Sequence, residues 1–279
     1  MHQVDSSFSF RLFHPKGRMS AYVQGVWSAS VAQEGPRSIK RWLQGDACSG
    51  LLFNLGAPIY LDKTQYFDRV ILLPISKQAH SITLPPGSQL TGIRFHPGIS
   101  FGIFGKCHDK PVALEGWTQQ SEVQTIVSRL INTPGHYARI IALYKWLNKA
   151  IDFSNVIPES FLQALNVLQK SQTLGLYSDD ISLSQRQLER KFQKWLGITI
   201  KQYQRILRVK KTLNSLKIAP DSDLAELALD EGFSDQSHMT REFKQIAKIT
   251  PWQYSKSVAR REEIRRRFPE TKPDEVWLL

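Results

Sequence analysis

The stretch from Gly232 to Lys244, GFSDQSHMTREFK, combines small polar and basic side chains at helical spacing. Met239 and Phe243 stand four residues apart, which predicts an amphipathic helix with its polar side turned outward. A glutamine side chain matches the paired donor and acceptor of adenine, and an arginine matches the two acceptors of guanine. Hydroxyl and ammonium groups can hold phosphates. The residues that this pattern predicts to contact a duplex are Asp235, Gln236, Ser237, His238, Thr240, Arg241 and Lys244.

The residues before this helix predict another helix and a tight turn. Asp221 or Ser222 can cap a short helix that ends at Gly232, where a positive φ costs little. Ser234 can then cap the helix that follows. Helix, tight turn and helix form the helix-turn-helix plan, whose second helix enters the major groove by its amino-terminal residues. The alternative is that the polar residues are only the solvent side of a packed helix. The apolar positions of the short helix are Leu224, Leu227 and Ala228.

The same plan occurs earlier in the chain, in SQTLGLYSDDISLSQRQLERKFQKWLG. Thr173 can cap a short helix, and Ser184 can cap a second helix after a turn. The second helix is predicted to turn three side chains inward: Leu188, Phe192 and Trp195. Its outward residues, predicted to contact DNA, are Gln185, Arg186, Glu189 and Arg190. The acid among them can accept only from the amino group of cytosine.

A connector helix is predicted between the two units, in TIKQYQRILRVKKTLNSLK. About sixteen helical residues span roughly 24 Å. A connector of that length can set two reading helices in successive major grooves, which lie about 34 Å apart along the duplex. Its predicted apolar stripe is Tyr203, Ile206, Leu207, Leu213 and Leu216. The predicted phosphate contacts are Ser184, Lys194, Arg205, Arg208 and Lys211.

The distribution of charge favours a polyanionic partner. The 279 residues carry a formal net charge of +12. Residues 186–217 contain ten lysines or arginines and one acid, residues 221–235 contain six acids and no base, and residues 241–267 contain nine bases and three acids. Two basic clusters separated by an acidic helix suit two contacts with one nucleic acid. A solvated basic surface is the alternative explanation of the net charge alone.

The amino-terminal half is predicted to be rich in β-strands. AYVQGVWSASV, GLLFNLGAPIYL, DRVILLPISKQ and LPPGSQLTGIRFHPGISFGIFG carry aromatic and β-branched runs broken by turn residues, which favours a sandwich or barrel. Three amphipathic helices are predicted to follow. They can form a lid on the β-rich domain, an arm of it or a dimer interface, and packing against their own domain is the favoured interpretation. The chain is thus predicted to be an α+β multidomain protein. The predicted divisions are a β-rich sensor or dimerisation domain (1–115), helices of an arm or linker (116–170), a DNA-binding domain (171–256) and a basic extension (257–279).

Several other classes of protein are disfavoured. Cys48 and Cys107 form no CxxC motif, which fits a reducing compartment, and neither a secretory signal nor a membrane-spanning apolar run is seen. His80, His96 and His108 have no metal-binding spacing. No phosphate-binding glycine loop is present. We therefore expect a soluble, cytoplasmic protein that is not an enzyme and that holds no metal or cofactor.

The span 172–254 resembles the paired helix-turn-helix domain of AraC/XylS-type transcriptional regulators. The second unit carries the longer match, in Leu227-Ala228, Gly232-Phe233-Ser234, Gln236-Ser237-His238, Arg241, Phe243-Lys244, Thr250-Pro251 and Tyr254. In the first unit, SQRQLERKF and GITIKQYQRILRVKKTL match. The resemblance implies reading by Arg186, Glu189 and Arg190 in the first unit and by Gln236, Ser237, Thr240 and Arg241 in the second. Three positions depart from the family pattern: Gly175, Ser182 and Lys248.

The amino-terminal half also resembles a β-rich domain of some of these regulators, in LLFNLG and RFHPGISFGIFG. The resemblance implies a cupin-like barrel that binds a small effector or mediates dimerisation. The predicted function is therefore regulation of transcription at a bipartite DNA site, with double-stranded DNA, RNA polymerase, a small-molecule effector and a second copy of the chain as predicted partners, and no membrane. The alternatives are a basic nucleic-acid-binding protein without effector control, or an enzymatic amino-terminal domain fused to a DNA-binding domain.

Overall fold

A computed structural model describes residues 8–34, 37–114, 120–170 and 181–267. The amino-terminal half is built from two antiparallel sheets and the carboxy-terminal half from helices, as the sequence predicts. Within the described residues, no helix has the length and apolar character needed to cross a membrane.

The strands follow one another closely and are joined by short turns. In chain order they are β1 (Phe8–Phe13), β2 (Val23–Val31), β3 (Ile39–Leu43), β4 (Ser49–Asn54), β5 (Ile59–Leu61), β6 (Thr64–Tyr66), β7 (Val70–Leu73), β8 (His80–Leu84), β9 (Gln89–Phe95) and β10 (Val112–Ala113). The large sheet has the order β1-β2-β9-β4-β7-β10, and the small sheet has the order β3-β8-β5-β6. A 3₁₀ turn (Gly17–Ala21) precedes β2.

Strand β4 is buried on both faces, which explains why GLLFN has no polar alternation. Leu52 belongs to the core between the sheets, together with Ile82 of the small sheet. Leu51 and Phe53 belong to a second core on the outer face of the large sheet. There the ring of Phe53 meets Trp146 edge to face, with centroids 5.9 Å apart. The large sheet is therefore the middle layer, with the small sheet on one side and helices on the other.

The helices after the strands cover that outer face. They are α1 (Ile99–Phe104), α2 (Gln120–Ile131), α3 (His136–Ala150) and α4 (Glu159–Lys170). The last three agree with the predicted amphipathic helices, and α3 lies against β1, β2 and β9. The prediction that strands continue through SFGIFG was wrong, because this segment is α1. A short apolar run fits a buried helix as well as a buried strand, and only the fold decides between them.

The carboxy-terminal helices are α5 (Gln185–Leu196), α6 (Ile200–Ile218), α7 (Leu224–Asp230), α8 (Gln236–Ala247) and α9 (Pro251–Arg267). Helix α9 crosses the predicted boundary at residue 256, and its side chain Val258 is buried with Tyr254 in the core. That core is continuous with the one on the outer face of the large sheet, because it joins Phe161 of α4 to Phe192 of α5. The two halves of the chain therefore share apolar packing.

Candidate nucleic-acid interface

The second helix-turn-helix unit is formed by α7, a turn and α8. Asp223, and not the predicted Asp221 or Ser222, caps α7 by accepting from the backbone N–H groups of Ala225 and Glu226. Gly232 makes the turn with φ +76°. The N–H of Phe233 then donates to the carbonyl of residue 228 at 2.8 Å, while its side chain is buried. This backbone bond closes the end of α7 and fixes the direction in which the chain enters α8.

Asp235 caps α8, which differs from the predicted cap at Ser234. The Asp235 carboxylate accepts from the backbone N–H of His238 at 2.7 Å, and this bond lowers the pKa of Asp235. Both neighbours can accept such a bond, and the structure uses the aspartate, whose charge also suits the positive end of a helix. Asp235 was predicted to contact DNA, and its carboxylate is instead engaged by the helix that it begins.

The front of α8 presents polar side chains to solvent. Gln236, Ser237 and Arg241 are exposed, as is Lys244 one turn further along, and Thr240 is half-buried beside them. The inward side consists of buried Met239, Phe243 and Ile246, as predicted. The predicted amide, hydroxyl, guanidinium and ammonium groups thus share one accessible surface.

A buried carboxylate that sequence reasoning missed holds α8 to α6. Glu242 is 8% exposed and pairs with Arg205 Nε at 2.8 Å and with Arg208 at 3.2 Å. Arg205 also donates to the side-chain oxygen of Gln245, and Arg208 donates to the carbonyl of Gly232 at 3.1 Å. Glu242 stands three residues after the core residue Met239 and four before the core residue Ile246, which places it beside the buried side of α8. A carboxylate in such a position needs hydrogen-bond or charged partners. That spacing was the available signal.

The Glu242 cluster changes the interpretation of three predicted DNA contacts. Arg205 and Arg208 were predicted to contact phosphates, and the structure places both guanidinium groups on Glu242. His238 was predicted to read bases, but it is half-buried, with Nε2 3.3 Å from Glu242 and Nδ1 3.0 Å from the hydroxyl of Ser234. All three side chains connect α8 to its neighbours within the protein.

The first unit presents a similar polar front on α5. Ser184 caps this helix, as predicted, and it does so in a capping box with Gln187. The outward residues are all exposed, and the amide of Gln185 donates to Glu189 at 3.3 Å. They are Gln185, Arg186, Glu189 and Arg190. The preceding helix, with the predicted cap Thr173 and the departure Gly175, lies outside the described residues.

The remaining predicted phosphate contacts have different surroundings. Lys194 lies on the side of α5 that faces the amino-terminal half, where its ammonium is 6.0 Å from the ring centroid of Phe101. Lys211 is half-buried on α6. Ser184 is exposed, and its oxygen accepts the backbone N–H of the capping box. Lys194 is therefore placed at a contact between the two halves of the chain rather than at the polar front.

Helix α6 lies between α5 and α8. Successive residues of a helix are rotated by about 100°, so Tyr203 points to the opposite side of α6 from Arg205 and Arg208. Tyr203 contacts Phe192 of α5, with centroids 5.2 Å apart, whereas the two arginines bind Glu242 of α8. A polar cleft of about 880 Å³ lies between α5 and α6 and is lined by residues of both helices.

Both units also touch the amino-terminal half, at separate places. On the first unit, the ring of Trp195 packs at a tilt against those of Phe101 of α1 and Phe161 of α4, with centroids 4.8 and 6.0 Å apart. On the second unit, the backbone N–H of Ala79 donates to the carbonyl of Ile246 at 2.6 Å. The orientation of α5 and α8 is therefore set partly by the β-rich half.

A cavity of about 250 Å³ lies within the β-rich half. Its apolar lining is Leu43, Leu61, Tyr66, Leu73, Pro74 and Pro111. Asp62 and His80 line it too and hydrogen-bond each other at 2.7 Å, and Asp62 also accepts from the backbone N–H of Ser81. Arg94 lines it as well and forms a buried ion pair with Asp46. Among the described residues, no group of three or more histidines, cysteines or acids is placed to hold a metal ion.

The chain is similar to several known proteins. A family model described as a helix-turn-helix domain matches residues 177–257. The Tn10 transposon protein TetD of Escherichia coli is 30% identical over 104 residues, which cover 37% of this chain and 75% of that protein. A structure of ToxT from Vibrio cholerae covers 91% of this chain and 100% of its own, with 10% identity and a TM-score of 0.46. An AraC-type regulator from Chromobacterium violaceum covers 36% of this chain and 92% of its own, with 26% identity and a TM-score of 0.33. The chain belongs to the AraC/XylS-type family of DNA-binding transcriptional regulators.

Proposed function

We propose that the protein reads a bipartite duplex site, with α5 in one major groove and α8 in the next. The observation that carries this proposal is that two capped helices with exposed polar fronts lie on opposite sides of α6. Helix α6 has 19 residues and is about 28 Å long. A spacer of that size suits reading helices that must reach grooves about 34 Å apart.

The side chains divide by chemistry into two groups. Two arginines, Arg190 of α5 and Arg241 of α8, carry paired donors that match the two major-groove acceptors of guanine. The amide of Gln236 on α8 carries a donor and an acceptor that match adenine. Arg186, Ser237 and Lys244 are exposed beside them and suit phosphate oxygens, which fix the register of a helix on the duplex. We assign Arg205, Arg208 and His238 to holding α8 in place.

Selection of duplexes from a random pool by the full chain tests this proposal. We expect a motif with two half-elements about one helical turn apart. Arg190→Ala is expected to lose preference in one half-element and to keep the other. Lys217→Ala, an exposed change at the end of α6, is the matched control and is expected to select the wild-type motif. A single half-element from the wild-type chain, or none, would contradict the bipartite proposal.

We further propose that the cavity in the β-rich half holds a small-molecule effector. The specific observation is a partly open pocket that combines apolar walls with charged side chains, namely Asp62, Arg94, Asp109 and Lys110, since ligand sites commonly join apolar walls to a few polar groups. Calorimetric titration of candidate small molecules into the wild-type chain and into Leu73→Phe, which fills the cavity, tests this assignment. A ligand that binds both proteins equally would lie elsewhere. The predicted contacts with RNA polymerase and with a second copy of the chain stay predictions.

A further inference from the structure

Helix α6 has an open side that neither α5 nor α8 covers. Successive residues turn by about 100°, so Gln204 points midway between Tyr203, which contacts α5, and Arg205, which binds a carboxylate of α8. The opposite side of α6 is buried in the core, through Ile206, Val209 and Leu213. The open side therefore faces away from the core and lies between the two helices that are proposed to read the duplex.

The open side carries cations and polar groups, at intervals of three or four residues, and no acid. Some of these groups are already engaged, since Arg208 binds a carboxylate of α8 and Ser215 donates to Glu231 at 2.7 Å. The side chains of Lys201 and Gln204 form no hydrogen bond or ion pair with any other described residue. The unengaged donors are thus at the end of α6 that is next to α5. The residues of the open side are Lys201, Gln204, Arg208, Lys211 and Ser215.

Lys201 and Gln204 also line the polar cleft between α5 and α6. The other wall of this cleft is the exposed front of α5, which contributes Gln185, Glu189, Arg190 and Gln193. The described lining contains three cations and one acid, an excess of two positive charges. The carboxylate that binds Arg208 from α8 reduces this excess and does not reverse it. The cleft is therefore a cationic groove that opens beside the front of α5.

The shape of a duplex determines what would lie over this cleft. The two sugar–phosphate backbones form the walls of a major groove, so a duplex that receives α5 has a backbone ridge beside that helix. If α8 occupies the next major groove on the same face, a minor groove lies between the two helices. Because α6 lies between α5 and α8, its open side is turned toward that minor groove. The ridge then fits the cleft, next to Lys201 and Gln204.

We propose that Lys201 and Gln204 make a third contact with the duplex, over the spacer between the two half-elements. This inference rests on the proposed bipartite site and adds to it two residues and a base preference. The ammonium of Lys201 binds a phosphate of the ridge. The amide of Gln204 donates to N3 of adenine or O2 of thymine in the minor groove, where a G·C pair places the amino group of guanine. The protein therefore prefers A·T pairs at spacer positions that neither α5 nor α8 reads.

Duplexes with constant half-elements and altered spacers test the base preference. The altered pairs stand next to the half-element that Arg190→Ala loses, and they are A·T, G·C or inosine·C. Inosine lacks the minor-groove amino group of guanine and keeps its major-groove acceptors. We expect A·T and inosine·C to be bound about fivefold or more tightly than G·C, the low end of the cost of one lost base contact. Equal binding of all three spacers, or inosine·C bound as weakly as G·C, would overturn the minor-groove contact.

Two variants test the residues. Gln204→Ala is expected to lose the spacer preference and to keep both half-elements. Lys201→Gln is expected to weaken binding of every duplex about fivefold at 0.15 M salt, and to lower the slope of log K against log salt by about 0.9, the effect of one phosphate contact. Lys217→Gln removes the same charge at the other end of α6 and is the matched control, with an unchanged slope and spacer preference. A wild-type slope in Lys201→Gln, or a full spacer preference in Gln204→Ala, would overturn that residue's assignment.

The salt measurement is independent of the selection experiment. It works on a duplex of arbitrary sequence, because phosphates are the same in every sequence. A failed selection with a reduced slope in Lys201→Gln would contradict the proposed bipartite site and leave the contact of α6 with the duplex standing. A selected bipartite motif with no spacer preference and no change of slope would leave the proposed site standing and overturn the third contact.

Discussion

The two helix-turn-helix units are held in place by different physical means. The second unit is fixed mainly within the carboxy-terminal half, because Glu242 of α8 binds two arginines of α6, and the β-rich half adds the backbone hydrogen bond from Ala79 to Ile246. The first unit is fixed largely from outside, because α5 packs on aromatic rings of the amino-terminal half, chiefly Phe161. Its own connection to α6 is the contact between Phe192 and Tyr203.

This difference leads us to expect that the positions of α5 and α8 respond differently to the amino-terminal half. An ion-pair cluster inside one half of the chain keeps its geometry when the other half moves, since all its members move together. Helix α5 has no such cluster among the described residues, and a shift of the β-rich half against it changes its support directly. The first unit is therefore the one that we expect to respond to the amino-terminal half, and the second is expected to bind its half-element in either case.

The largest expected effect comes from removing the ring that supports α5. Phe161→Ala deletes a fully buried side chain that contacts both Phe192 and Trp195, and we expect a loss of about 3–5 kcal/mol in the free energy of unfolding. Urea denaturation measures the loss, and duplex selection should show a weaker first half-element with the second retained. Tyr137→Ala, at a side chain that is 70% exposed, is the control and should change stability by less than about 0.5 kcal/mol. Equal weakening of both half-elements would contradict the separate support of the first unit.

The next effect concerns the charge that holds α8. Glu242→Gln leaves two arginines without their counter-charge, and the full cost for a buried pair is about 3–5 kcal/mol. Because Arg205 is partly exposed, solvent screening reduces this, and we expect about 2–4 kcal/mol by urea denaturation. Glu189→Gln, the exposed acid on α5, is the matched control and should cost less than about 0.5 kcal/mol. Similar stability of the two variants would show that Glu242 does not hold α8.

The sequence predicted those features of the two units that depend on neighbouring residues. The predicted cap at Ser184 is a local capping box, and most inward side chains of α5, α6 and α8 follow from helical spacing. On α5 the spacing was one residue out at the carboxy-terminal end, where Leu196 is buried and the predicted Trp195 is only partly buried. The local pattern could not predict that Asp235 rather than Ser234 caps α8, because either side chain can accept the same hydrogen bond.

Features that depend on the approach of distant segments could not be predicted in this way. Arg205 and Arg208 look like free cations on the outward side of a helix until α8 brings Glu242 against them, 34 to 37 residues later in the chain. The ion pair of Asp46 and Arg94 likewise joins residues 48 positions apart. The assignment of DNA contacts from sequence is therefore weakest where a basic helix also packs against another helix.

A smaller effect is expected from a single reading side chain in the second unit. Arg241→Ala removes an exposed guanidinium from the front of α8 and should cost about 1–3 kcal/mol of binding at the preferred duplex, with relaxed preference at one base position. Equilibrium binding to duplexes substituted at each position measures both. Lys256→Ala, an exposed residue of α9, serves as the control. Equal weakening on every duplex would make Arg241 a phosphate contact instead.

The smallest expected effect compares the ends of the two reading helices. Helix α5 ends at Gly197 with φ +61°, and α8 ends at Lys248 with φ +60°. A side chain in this left-handed conformation is strained, so Lys248→Gly should stabilise the protein by about 0.5–1 kcal/mol, measured by urea denaturation. Gly197→Ala is the reciprocal test and should cost about 1 kcal/mol. An added Cβ there meets only Cys107 at 3.8 Å, an ordinary contact, so crowding does not contribute. If both changes left stability unaltered, the left-handed ends would not distinguish the two units, and their difference would lie wholly in the contacts of Phe161 and Glu242.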